Sequence, residues 1–214
     1  MVYLRRFPVA ALCGVLLLSL LGPHSTSLSA ADPIRVVLLV DSSTNMATML
    51  NEFRSGLAAF VDALPDDVEV TMVSTGGQLR LRVPATSDKR RLQEAAARFS
   101  SDGGANALLD TLLESDRRFL KPARDRRPIF VVVSTDQPTQ NDPPLYAYND
   151  FVRDFVRRRG RAHAVVIRGT QTGLSSVILE HLTSNTDGLY TVMAVANSLS
   201  VRMKSIAAEI AAQQ

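Results

Sequence analysis

The chain has 214 residues, of which 46% are apolar and 21% charged, and its formal net charge is +3. That apolar content suffices for one domain with a substantial core, and no low-complexity tract suggests disorder. Arg5 and Arg6 carry two of the excess positive charges, and removing them leaves +1, so the composition makes no case for a nucleic-acid partner.

At the N-terminus, Arg5 and Arg6 precede the apolar run Val9 to Leu21, and Ser29, Ala30 and Ala31 supply small residues for cleavage. This is the pattern of a secretory signal peptide over residues 1–31. The run is shorter than the roughly 20 residues needed to span a bilayer, so no stable membrane insertion is expected after cleavage. Cys13 is the only cysteine, and Leu12 before it does not fit a lipoprotein cleavage site. A domain over residues 32–214 would therefore contain no disulfide. Lysine occurs only at Lys89, Lys121 and Lys204, the rest of the basic residues being arginine. Both features point to a bacterial exported protein, periplasmic or extracellular.

The first element of that domain is the unbroken apolar run from Val36 to Val40, which ends at Asp41-Ser42-Ser43-Thr44-Asn45. Such a run reads as a strand buried on both faces, central and parallel to its neighbours. Leu50, Phe53, Leu57, Phe60, Val61 and Leu64 then mark an amphipathic helix that stops before Pro65. The strands Val68 to Ser74 and Leu79 to Val83 flank Gly76-Gly77, which predicts an antiparallel hairpin at a sheet edge. Ser87 is the expected cap of a helix from Asp88 to Phe99. Asp102-Gly103-Gly104 leads into a helix expected from Asn106 to about Phe119, and Pro122 closes it.

Pro128 to Asp136 repeats the first design, a buried strand ending in an aspartate. Residues 137–144 read as an exposed loop at the same edge as Asp41. Next comes a helix with Phe151, Val152, Phe155 and Val156 on its inner face. Its last turn, Arg157-Arg158-Arg159, reads as a solvated helix end capped by Gly160. A strand from Ala162 to Ile167, a helix from Ser175 to Ser184, a strand near Leu189 to Val192 and a final helix capped by Ser198 complete the pattern. The fold expected is α/β: a doubly wound, mostly parallel, six-stranded sheet with helices on both faces and one antiparallel edge strand.

Ligands in such sheets bind beyond the carboxyl ends of the strands. Two aspartates brought to that edge repel each other unless a cation, a proton or a basic group intervenes, and a hard metal ion is the economical expectation. On that reading, removing Asp41 costs less stability than truncating a core residue such as Val37.

With these motifs the chain resembles the von Willebrand factor type A family, from about Ile34 to the C-terminus. The family's metal-ion-dependent adhesion site uses Asp-x-Ser-x-Ser after the first strand, a threonine in a Gly-Gly-Thr loop, and an aspartate after the fourth strand. Here Asn45 replaces the last serine, Ala105 stands in the threonine position after Gly103-Gly104, and Asp136 is kept. The resemblance implies a noncatalytic, adhesion-type module in which Asp41, Ser43, Asn45 and Asp136 hold a divalent cation, Mg²⁺ being expected. A protein partner's acidic side chain could complete the shell. Two alternatives stay open: a metal-independent scaffold with a vestigial site, and an exported metal-dependent hydrolase on the same sheet. Against the latter, His163 and His181 belong to no recognisable Ser-His-Asp spacing, and no zinc spacing exists.

Overall fold

In a computed structural model, residues 33–136, 145–169 and 173–214 are described. The expected signal peptide and the expected loop 137–144 lie outside them. Six strands form one sheet: β1 (Ile34–Val40), β2 (Glu69–Ser74), β3 (Arg80–Thr86), β4 (Arg127–Asp136), β5 (Arg161–Arg168) and β6 (Tyr190–Met193), in the order β3-β2-β1-β4-β5-β6. All neighbours are parallel except β2 and β3. The doubly wound expectation holds, with β1 and β4 side by side in the middle of the sheet.

The helices are α1 (Leu50–Ala63), α2 (Lys89–Ala97), α3 (Leu108–Ser115), α4 (Leu145–Arg157), α5 (Leu174–Asn185) and α6 (Leu199–Ala211). Alternation along each central strand explains why both faces need cover. Val36, Leu38 and Val40 of β1 pack with Phe53 and Phe60 of α1 and Met203 and Ile206 of α6. Val37 and Leu39 face the other way, among Leu112 of α3, Phe151 and Phe155 of α4 and Leu179 of α5. The run without polar residues is thus the sequence of a strand with two cores.

Several local expectations are corrected. Asp88, not Ser87, caps α2, because its carboxylate accepts from Arg91 N–H at 3.1 Å. Asn106 does not begin α3; it forms a β-bridge with Gly76, which leaves the helix to start at Leu108. β3 runs on through Pro84 to Thr86, which an edge strand with irregular register tolerates. Val156 is exposed rather than part of the inner face of α4. Ser198 makes no side-chain cap to α6. At the end of α4 the left-handed residue is Arg159, with φ 58°, and not Gly160. Gly160 is required for another reason: a Cβ there would meet the Phe155 ring at 2.6 Å. Nor is that end simply solvated, since Arg158 Nη2 donates to both carboxylate oxygens of Asp116, at 2.7 and 2.9 Å.

His163 sits inside β5 with no exposure, and its Nδ1 accepts from Leu189 N–H at 3.1 Å. Burial, with the Arg161 charge adding to it, pushes its pKa down from 6.5 to about 4. The imidazole is therefore neutral in the fold, whereas the unfolded chain takes up the proton below about pH 6.5. Stability is complete above that pH and should fall by about 3 kcal/mol as pH drops towards 4. Urea titrations of the parent and of His163→Gln between pH 7 and 4 check this, the variant being expected to lose most of that slope.

Candidate functional site

Asp41 follows β1 and is 1% exposed. The backbone at this point still belongs to the sheet, since Asp41 N–H donates to Val133 O of β4 at 2.8 Å. One carboxylate oxygen, Oδ1, accepts from Ser43 N–H at 2.8 Å, closing a tight turn of the chain onto itself. The other, Oδ2, accepts from Thr135 N–H at 3.0 Å, from the Thr135 hydroxyl, and from Asn106 Nδ2 at 3.2 Å. A buried charge with four donors is solvated by the protein itself.

Asn106 is the pivot of this arrangement. Fully buried, it donates from Nδ2 to Ser134 Oγ at 2.9 Å as well as to Asp41, and its Oδ1 accepts from the Thr75 hydroxyl at 2.6 Å. Sequence reasoning missed it by taking it as the first helical residue. Its signal was present, a polar side chain directly before the apolar run Ala107-Leu108-Leu109, but only the bridge to Gly76 shows that it points inward.

A second carboxylate that sequence reasoning passed over, Asp102, anchors the same loop. Asp102 Oδ2 accepts from Ser42 Oγ at 2.7 Å, from Ser74 Oγ at 2.8 Å and from Arg82. Burial opposes its ionisation, but these two hydroxyls and the Arg82 guanidinium outweigh that and hold its carboxyl below the usual range. Gly103 and Gly104 follow with φ of 75° and 69°, conformations open to glycine, so the loop doubles back over β1 and β2. Gly104 O accepts from Thr44 N–H and Ser42 O from Asp102 N–H. Gly76 lies so close to this layer that a Cβ would fall 2.7 Å from Ser42 O, which gives the expected turn glycine a second role.

The four expected ion ligands are not equivalent. Asp41 is satisfied as above. Ser43 is fully buried and, among the described residues, its hydroxyl has no hydrogen-bond partner. Asn45 is exposed in a short 3₁₀ helix, Thr44–Met49, and among the described residues its amide makes no hydrogen bond. Asp136 turns to α5, where its Oδ1 accepts from Gly173 N–H at 3.2 Å and Ser176 N–H at 3.3 Å. The positive end of that helix stabilises its charge. The mutual repulsion inferred from sequence is thus met by separate sets of donors, one around each aspartate.

Ala105 contributes no oxygen, and among the described residues no group of three or more His, Cys, Asp or Glu could hold an ion without other donors. A hard ion that keeps several waters nevertheless fits the orphaned Ser43 oxygen, since a desolvated hydroxyl without a partner costs about 1–3 kcal/mol. The stability difference expected from sequence disappears. Asp41→Ala removes the acceptor of four buried donors and should cost about 3 kcal/mol, comparable with Val37→Ala. Asp136→Ala removes a helix N-terminal acceptor and should cost about 1 kcal/mol. Denaturant midpoints in the presence of chelator measure both.

A model of the von Willebrand factor type A domain family matches residues 36–139. Among solved structures, a von Willebrand factor type A protein from Catenulispora acidiphila superposes with a TM-score of 0.69 at 16% identity, over 83% of this chain and 42% of that one. The conserved hypothetical protein BatB from Bacteroides thetaiotaomicron superposes with a TM-score of 0.64 at 17% identity, over 84% and 98% of the two chains. Proximal thread matrix protein 1 from the mussel byssus, in a structure with a zinc-occupied MIDAS motif, gives 0.66 at 15% identity, over 84% and 46%. This chain therefore spans less than half the length of the first and third of these proteins. At such identities the likeness is one of fold. No curated protein sequence matches the chain. The family match begins in β1 and runs through β4 to just beyond Asp136, so the strands and loops that surround Asp41 are the part of this chain that is similar to a von Willebrand factor type A domain.

Proposed function

We propose that this chain is an exported, noncatalytic protein-interaction module that meets its partner with the loops at the carboxyl edge of β1 and β4. The observation that carries the reading is the buried, unpartnered hydroxyl of Ser43, at a ligand position of the adhesion motif. Ser43 would bind a divalent cation directly, Asp41 and Asp136 directly or through water, and the exposed Asn45 amide could swing in. Bound there, Mg²⁺ or a similar hard ion supplies a positive centre for an acidic side chain of the partner. The zinc-occupied motif of the mussel protein supports an ion at this place in the fold. His163 and His181 find their partners at Leu189 and Tyr148, away from Asp41, which supports a noncatalytic role.

A second reading rests on Asn106. Its amide already occupies Asp41 Oδ2, so the same surface can be complete without an ion and recognise its partner metal-independently. Calorimetric titration with Mg²⁺ and Mn²⁺ separates the two. On the first reading the parent shows saturable binding that Ser43→Ala and Asp136→Ala abolish. Ala105→Thr combined with Asn45→Ser should tighten it about tenfold, which is about 1.4 kcal/mol. Absence of saturable heat in both the parent and that double variant would leave the metal-independent reading. Export has its own check: sequencing the N-terminus of protein recovered after secretion should give a start near Asp32, whereas an intact residue 1 would contradict cleavage.

A further inference from the structure

Arg127 and Asp136 are the two ends of β4, and the end away from Asp136 gathers five arginines. Arg124, Arg126 and Arg127, from the connection into β4, meet Arg158 and Arg159, from the end of α4, around a cavity of about 330 Å³. Asp125 is the one carboxylate in its lining. Sequence separates these two arginine groups by some thirty residues; parallel pairing of β4 with β5 brings them together.

The arginines differ in how they are held. Arg126 is fixed by Glu69 at 3.0 Å. Arg158 is fixed by Asp116, by Asp154 at 3.1 Å and by the face of Phe155. These two are set in place and partly neutralised. Arg124 is exposed and, among the described residues, has no ion pair or side-chain hydrogen bond. Arg159, also exposed, holds its φ of 58°, a region costly for a residue with a side chain and free for glycine. An arginine thus stands where glycine would be more comfortable, beside other arginines that like-charge repulsion disfavours.

We propose that this cavity binds an oxyanion of the phosphate class, a phosphomonoester or the phosphate of an anionic lipid headgroup. Arg124, which has no partner among the described residues, makes the first contact, and Arg126, Arg158 and Arg159 line the cavity beside it. Guanidinium forks match the spacing of phosphate oxygens and keep their charge at any physiological pH. The site is independent of the adhesion motif at the other end of β4.

The test is titration of the full chain with inorganic phosphate at low ionic strength, followed by calorimetry, for the parent, Arg124→Ala, Arg159→Gly and Arg90→Ala. Arg90 lies on α2, paired with Glu94, and serves as a charge control. Saturable binding is expected, weakened about tenfold by each of the first two changes and unchanged in the control. The melting temperature of Arg159→Gly should hold or rise, since the left-handed strain is relieved, so loss of binding cannot be loss of fold. Co-sedimentation with phosphatidic acid vesicles against phosphatidylcholine vesicles then identifies the source. A phosphatidic-acid preference lost in Arg124→Ala assigns the headgroup, and phosphate binding without that preference assigns a free phosphate. No saturable phosphate binding together with no vesicle preference overturns the proposal, as does an equal loss in Arg90→Ala.

Discussion

The buried carboxylate of Asp41 is the interaction on which the carboxyl edge of this domain depends. It is reached from three separate stretches: its own turn through Ser43, the end of β4 through Thr135, and the loop before α3 through Asn106. A charge withdrawn from water is tolerated only where donors replace its hydration, and two of these donors, Thr135 in β4 and Asn106 bridged to Gly76, are oriented by the sheet or by a bridge beside it. Asp102 repeats the principle nearby, drawing together Ser42 after β1, Ser74 of β2 and Arg82 of the edge strand β3. Together the two carboxylates fasten residues 101–107, which have little regular structure, over the ends of β1 and β2.

This arrangement changes what an ion at the edge can do. In a site whose aspartates face each other without other partners, an ion is needed for the loops to close at all. Here the loops are closed by Asn106, Thr135 and the start of α5, and the Ser43 hydroxyl, two residues from Asp41, is among the buried oxygens left without a partner in the described residues. An ion would thus add a binding determinant to a structure already formed, and metal affinity and fold stability become separable properties.

The domain is also polarised along β4. One end of that strand delivers Asp136 to the adhesion edge, and the other delivers Arg127 to the arginine-lined cavity, with the doubly covered sheet between them. The intervening strand is buried on both faces and cannot be rearranged cheaply, since its side chains serve two cores at once. The two proposed recognition surfaces, so placed, share no loop.

Sequence alone determined the architecture, because the cause is local. Val36 to Val40 and Ile129 to Val133 carry no polar residue, and only a strand covered on both faces is compatible with that; the Gly-Gly hairpin and the helical spacing of apolar residues then leave little freedom in the order of elements. It also placed Asp41, Ser43 and Asp136 at one edge, since each follows directly from where its strand ends. What it could not determine were the partners of polar side chains, which come from elements far apart in the chain. Asn106 reads as a helix start until Gly76 pairs with it, Asp102 as a loop residue until Arg82 crosses the edge strand, and the arginines after Phe155 as a solvated helix end until Asp116 and the connection into β4 close around them. Apolar burial needs only a face and a period, whereas a hydrogen bond needs a particular atom at about 3 Å, and only the tertiary fold decides which atom that is.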